Sequence, residues 1–275
     1  MTKNQSLLKL KNISKVFLKS TVDEVDALRH VNLNVSADDF ITVIGSNGAG
    51  KTTLLNMIAG VYQPEKGGSI IINGKDVTGL REHERARYVG RVYQDPHIGT
   101  AAKMTIEENL CLAMLRGKPR GLKIAANRQR REFFKSVLAQ LELGLEDRLT
   151  ALVGTLSGGQ RQSLALVMAT ISKPPLLLLD EHIATLDPKT SRVVLEISEK
   201  IIQKERMATI MVTHNMEHAL RYGNRLIMMH KGRIIVDIHH EQKSNLTIND
   251  LIVAFEKASG ERFADDSMIL SNIDS

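Results

Sequence analysis

The octet Gly45-Ser46-Asn47-Gly48-Ala49-Gly50-Lys51-Thr52 fits the pattern G-x-x-x-x-G-K-[ST]. Its glycines let backbone N–H groups curl around an anion. A helical pattern follows from Thr52 to Ala59, and its N-terminus adds roughly half a positive charge at the same place. Lys51 can reach the outer phosphates of a bound nucleotide, and the Thr52 hydroxyl can ligate Mg²⁺. The alternative is a glycine-rich turn with a surface lysine. The apolar strand before the loop and the helix after it argue for the phosphate cradle.

A second chemical group stands at Leu176-Leu177-Leu178-Leu179-Asp180-Glu181, an apolar strand ending in two carboxylates. In parallel sheets the carboxyl ends of strands open onto the ligand crevice. There Asp180 suits the shell of a Mg²⁺ ion, and Glu181, one residue on, suits orienting and deprotonating a water molecule. A third group, Leu156-Ser157-Gly158-Gly159-Gln160, is another glycine-rich loop ahead of a helix and a second anion cradle. One mononucleotide does not need two cradles from one chain. The redundancy suggests two copies, each offering this loop to the other's nucleotide.

The elements that must position these groups change in texture along the chain. The first 45 residues read as strands: Leu8 to Phe17, Ala27 to Val35 and Phe40 to Ile44. Ser69 to Ile72 is a strand before the turn signal Asn73-Gly74, and Val89 to Tyr93 is another. From about residue 95 to 172 the pattern is helical. Thr105 and Glu108 make a capping box, Arg128 to Leu141 carries apolar residues at helical spacing, and a helix runs from Gly158 to Ile171. Strand and helix alternate afterwards: Leu176 to Leu179, a helix over Pro188 to Lys204, Thr209 to Val212, a short helix over Met216 to Tyr222, and a hairpin around Lys231-Gly232. Thr247 to Lys257, with Asp250 completing a capping box, is a last helix before an acidic tail.

Composition narrows the class. The 275 residues are 43% apolar and 25% charged, values of an ordinary globular protein. No apolar run approaches the ~20 residues that span a bilayer. The N-terminus lacks a signal-peptide core, and the single Cys111 cannot form an internal disulfide, which together favour the cytoplasm. The net charge of +6 is concentrated: eight basic residues and one acidic residue lie between Arg116 and Lys135. A nucleic-acid binder is more often basic over a broad face. The basic segment reads as a solvated face or as a surface near anionic lipid or acidic partner loops. His239-His240-Glu241 reads as a solvated strand end, because adjacent histidines on a strand face opposite ways. Cys111 and the methionines Met207, Met211, Met228 and Met229 read as core.

Taken together over residues 8 to 240, the motifs resemble the ATP-binding cassette of an ABC transporter. Gly45 to Thr52 matches Walker A, Gln94 in Val92-Tyr93-Gln94-Asp95-Pro96 resembles the Q-loop, and Leu156 to Gln160 matches the signature loop. Asp180-Glu181 matches Walker B with its catalytic glutamate, Leu186-Asp187 resembles the D-loop, and His214 resembles the switch histidine. Phe17 occupies the place of the aromatic residue that stacks on adenine, with a core phenylalanine as the alternative. His182 departs from the pattern, since many relatives have proline there.

The resemblance implies an α/β fold: a P-loop NTPase cassette with a RecA-like parallel-sheet core, an N-terminal antiparallel β subdomain and a helical lobe. It implies an ATP-binding domain over residues 7–240, with the helical lobe at about 95–172 and a C-terminal helix and acidic tail over 241–275. ATP would be held by Phe17, Gly45, Ser46, Asn47, Gly48, Ala49, Gly50, Lys51, Thr52 and Thr53. Mg²⁺ would be held by Thr52, Gln94 and Asp180, and hydrolysis carried by Glu181, His214 and Gln94. Leu156, Ser157, Gly158, Gly159 and Gln160 would face the ATP of a second ATP-binding subunit, beside Asp187. Further partners implied are membrane permease subunits and, indirectly, a substrate-binding protein, with no nucleic acid. The chain would lie peripherally on the cytoplasmic face of the cell's inner membrane.

Asp180-Glu181-His182, Thr213-His214-Asn215-Met216 and Tyr222-Gly223-Asn224-Arg225 together resemble ATP-binding proteins of amino-acid-type uptake systems. Import of branched-chain or aromatic amino acids is the expectation they carry. The runner-up is a soluble cassette ATPase of DNA repair or translation. Repair relatives split the motifs with a long coiled coil, and translation relatives carry two cassettes. A P-loop GTPase or kinase is a third reading. It lacks an Asn-Lys-x-Asp motif and leaves the signature loop unexplained.

Overall fold

The computed structural model describes residues 6–118 and 127–261. The basic residues Arg120 and Lys123 and most of the acidic tail lie outside the described residues. The chain begins with β1 (Ser6–Phe17), β2 (Val25–Ser36), β3 (Phe40–Ile44), α1 (Lys51–Ala59), β4 (Ser69–Ile72) and β5 (Lys75–Asp76). It continues through α2 (Glu82–Arg85), β6 (Val89–Val92), α3 (Ile106–Met114), α4 (Arg128–Leu138), α5 (Gly158–Thr170), β7 (Leu176–Asp180) and α6 (Pro188–Glu205). Last come β8 (Ala208–Val212), α7 (Met216–Arg221), β9 (Arg225–His230), β10 (Arg233–His239), α8 (His240–Lys243) and α9 (Ile248–Ser259).

Two compact units result. The first holds the described residues up to Glu82 and from Ala208 on, and the second holds His83–Met207. In the first unit β1 pairs antiparallel with β2 and β4, and β4 with β5. The strands alternate as the sequence does, with Leu8, Leu10, Leu33 and Val35 buried and Lys11, Asn32 and Asn34 exposed. Asn73 and Gly74, with φ of 50° and 74°, make the tight turn between β4 and β5. The parallel part of this unit is β3, which lies between β8 and β9, with β10 antiparallel to β9. Parallel strands are covered on both faces, hence the run of buried apolar residues in each. Ile44, Met216, Leu226, Met228, Leu251 and Phe255 form one core cluster, so α9 closes over β9 and α7.

In the second unit β6 and β7 pair in parallel. The helix α5 packs on β6, α3, α4 and α6, and eleven of its thirteen residues are buried. Gly90 lets β6 approach α5: a Cβ there would run into the Ala169 carbonyl.

Two expectations need correction. The Arg128–Leu141 helix is α-helical only to Leu138, with a 3-10 turn over Ala139–Leu141 that ends at Glu142 in the left-handed region. His239 and His240 do not share a strand, because β10 ends at His239 and α8 begins at His240. The four-residue α2 and α8 carry no legible period of their own.

Candidate functional site

In the first unit, β3 runs straight into Gly45. The loop is moulded against backbone on two sides. A Cβ on Gly45 would strike the Met229 carbonyl at the end of β9, and a Cβ on Gly50 would strike the Ala27 carbonyl in β2. Gly50 also sits at φ 98°, a left-handed conformation that favours glycine. Gly48, by contrast, faces open space where a Cβ would be. The β9–β10 turn braces the loop from outside: Gly232 N–H donates to the Ala49 carbonyl at 3.1 Å, and Arg29 N–H to the Gly232 carbonyl at 2.8 Å.

Gly50 caps α1 without a side-chain hydrogen bond, and the first turn of α1 carries no acidic residue. A helix N-terminus of this kind favours an anion through its dipole. Lys51 is buried, with Nζ donating to the Gly45 carbonyl at 2.5 Å and to the Ser46 carbonyl at 3.1 Å. The ammonium is thus held inside the curl of the loop.

Phe17 ends β1 and is half-buried, outside the fully buried core. Its ring meets Tyr62 edge-on, with centroids 5.1 Å apart at 74°, and Lys15 Nζ stands 5.6 Å from the Phe17 centroid. Sequence reading missed Tyr62 and Lys15, and no local spacing marks them. His214 lies between β8 and α7. Thr213 N–H donates to the Val43 carbonyl of β3, and Asn215 caps α7 by accepting from His218 N–H at 2.8 Å. This fixes both sides of His214.

In the second unit, Asp180 is the buried last residue of β7, and its Oδ2 accepts from Arg91 Nη2 of β6 at 2.7 Å. Glu181 turns the chain at φ 45°. Asp187 caps α6, accepting from Thr190 N–H at 3.0 Å, and the Thr190 hydrogen bonds hold its carboxyl below the usual range. Gln94 is exposed just after β6. Two buried residues of α5 fasten the segment around it. Gln162 Nε2 donates to the Tyr93 carbonyl at 3.0 Å, and Arg161 bonds Thr100 Oγ1 at 2.7 Å and His97 Nδ1 at 2.8 Å. Sequence reading missed both; an Arg-Gln pair ahead of the apolar run of the same helix is the signal that could have found them.

The Leu156–Gln160 loop leads into α5. Ser157 and Gln160 form a reciprocal capping box, Ser157 Oγ accepting from Gln160 N–H. Gly159 is buried where a Cβ would overlap the Thr190 side chain, and a Cβ on Gly158 would lie 3.4 Å from Leu186 Cδ2. The structure therefore brings the signature-like loop together with the Leu186-Asp187 loop. Phosphate loop, Phe17 and His214 belong to the first unit. Gln94, Ser157 to Gln160, Asp180, Glu181 and Asp187 belong to the second.

Strand, glycine-rich loop, helix and carboxylate-ended strand are the parts of a P-loop NTPase fold. Residues 28–184 match the family model described as ABC transporter. The chain is 42% identical over 252 residues to a tyrosine transport ATP-binding protein of Clostridioides difficile, covering 92% of this chain and 100% of that one. It is 33% identical to a methionine import ATP-binding protein of Latilactobacillus sakei over 83% of this chain and 64% of that one. Among solved structures it is similar to a dimeric ATP-binding cassette in a post-hydrolysis state bound to ADP and Pi. That match has TM-score 0.72 and 28% identity, and covers 84% of this chain and 98% of that chain. The chain belongs to the ABC transporter family, as an ATP-binding subunit that hydrolyses ATP to drive transport. That decides between transport and the DNA-repair or translation alternative. Among the described residues no helix is long and apolar enough to cross a membrane.

Proposed function

We propose that this subunit powers uptake of an amino acid or similar small solute, and that the phosphate loop, Glu181, His214 and Gln94 carry the ATP chemistry. The observation that carries the ATP assignment is the cradle itself: a helix opened by Gly50 with no acidic residue in its first turn, a buried lysine inside the loop, and open space at Gly48. Lys51 leaves its carbonyls for the β- and γ-phosphates, and the N–H groups of Gly45 to Thr53 hold their oxygens. Phe17 stacks on the adenine. Thr52, Gln94 and Asp180 offer a hydroxyl, an amide oxygen and a carboxylate. This hard-oxygen set suits Mg²⁺, which when bound polarises the phosphoryl oxygens.

Glu181 takes a proton from the attacking water as its oxygen bonds to the γ-phosphorus and the bond to the β-phosphate oxygen breaks. His214 steadies the γ-phosphoryl group. The names of the tyrosine and methionine relatives support an amino-acid cargo. The dimeric cassettes among the structural neighbours support a second copy whose Ser157 to Gln160 face this chain's ATP. Permease subunits, with a substrate-binding protein beyond them, would hold the chain at the cytoplasmic face of the membrane.

Glu181→Gln tests the chemistry. An amide cannot accept the proton, so turnover should fall about 10²- to 10⁴-fold while ATP binding persists. Phosphate release and equilibrium ATP binding measure the two. Near-normal turnover would remove Glu181 from the mechanism.

A further inference from the structure

The residue after Glu181 is polar and deeply buried. His182 is 1% exposed, at the start of a loop whose neighbours Glu181, Ile183, Ala184 and Thr185 are half-buried or exposed. A buried imidazole costs more than an apolar side chain of similar volume unless it is hydrogen-bonded. His182 Nε2 lies 3.3 Å from Ser198 Oγ of α6, itself 1% exposed. The Ser198 hydroxyl donates to the Val194 carbonyl at 2.7 Å, so its proton is committed within the helix. Its oxygen is then the acceptor, and the proton on the imidazole belongs on Nε2. The bond has one direction and ties the loop to the third turn of α6.

Glu181 itself stands at φ 45°, a left-handed backbone that a bulky residue holds only when its surroundings enforce it. A proline at position 182 would press the residue before it toward extended backbone. With histidine there, that restraint is gone and Glu181 is free to take the left-handed turn. Something else must then hold it. Ser191 Oγ, donating toward the Ile183 and Leu186 carbonyls at 3.2 and 3.3 Å, fastens the far side of the loop. At the near side Ala184 N–H donates to the Glu181 carbonyl at 3.0 Å, and the His182 side chain, one peptide from Glu181, reaches Ser198.

We infer that the His182–Ser198 hydrogen bond is a strut that holds Glu181 in its left-handed conformation and so aims the carboxylate at the attacking water. His182 is a positioning residue: it acts through Glu181 and does not touch ATP. The inference rests on the reading of Glu181 as the base.

The test compares His182→Ala, Ser198→Ala, the double variant and His182→Gln in the purified chain. ATP turnover, KM, equilibrium ATP affinity and thermal unfolding are measured for each. Loss of the strut should lower kcat about tenfold, short of the roughly hundredfold that an ångström of misplacement costs. KM and ATP affinity should stay within about twofold, since the phosphate cradle is untouched. The two single variants and the double should fall alike, because either change breaks the one bond. His182→Gln, whose amide N–H can occupy the Nε2 position, should recover most of the rate. Unchanged kcat in either single variant, additive losses in the double, or failure of His182→Gln to recover would overturn the strut. If His182→Ala unfolds, Ser198→Ala and His182→Gln still decide. Placed on Glu181→Gln, His182→Ala should have no further effect. High turnover in Glu181→Gln alone would instead overturn the assignment of the base, a separate failure.

Discussion

The Gly45–Thr52 loop of the first unit and the carboxylate end of β7 in the second are shaped by different means. Gly45 and Gly50 press against the carbonyls of Met229 and Ala27, and Lys51 bonds its own loop, so backbone and glycine decide the shape. At β7 the shape is decided by side chains from further away in the chain: Arg91 on Asp180 and Ser198 on His182. A backbone-made site must be written locally, residue by residue, and survives only as glycine. A side-chain-made site can draw its parts from anywhere, and each part can be replaced if the contact is kept.

The contrast breaks most readily at Arg91. Its guanidinium and the Asp180 carboxylate are both more than nine-tenths buried, so Arg91→Met withdraws a guanidinium bonded to a buried carboxylate. Breaking one side of such a pair costs about 3–5 kcal/mol. Denaturant unfolding should show a loss of that order, and adding Asp180→Asn to Arg91→Met should return much of it. Stability unchanged by Arg91→Met would mean that other groups carry Asp180.

Gly50→Ala probes the backbone-made side. A left-handed residue with a side chain costs about 1–3 kcal/mol. Here the Cβ also meets the Ala27 carbonyl, so the loop must shift. No second-site substitution should restore ATP binding, in contrast to the Arg91 pair. Equilibrium binding of ATP by the variant checks this, and wild-type affinity would dissolve the distinction.

The same contrast explains what was legible in the sequence. Strands β1 to β4 and helix α1 announce themselves by period and by Asn73-Gly74, and the capping boxes at Thr105, Ser157 and Thr247 close as their spacing predicts. All are local in the chain. Arg91 and Asp180 are 89 positions apart, and Arg225 reaches Asp39 across 186, so no window of sequence contains either pair. The helix α8 was missed for a related reason. Four residues have too little period to read, and α8 is held by tertiary packing of Lys243. Gly159 was legible but for a different cause: it admits the Thr190 methyl as well as opening a helix end. Within the basic segment, Arg131 is not simply solvated, since it grips the Glu107 carboxylate at 2.6 and 2.9 Å.

The first unit also has a long-range brace at Lys243, and it gives the smallest effect. Lys243 of α8 is buried beneath β3, donating to the Tyr222 and Gly223 carbonyls, with Thr42 Oγ1 3.5 Å away. Thr42 in turn donates to the Ala219 carbonyl, so the strand that launches the phosphate loop and the helix after His214 share this anchor. Burial pushes the Lys243 ammonium down to about 8 from an ordinary 10.5. Its folded value lies below its unfolded one, so between the two the unfolded chain binds the proton more strongly. The desolvation cost is present in full below about 8 and is relieved as pH rises toward 10.5. Against Lys243→Met, which keeps the stem and has no proton to lose, the wild type should gain on the order of 1 kcal/mol from about pH 7.5 to about pH 9. Urea midpoints of the two proteins at both pH values measure it. A constant difference would mean that the carbonyls hold the charge as firmly as water does, and that this brace, unlike the loop it supports, is insensitive to pH.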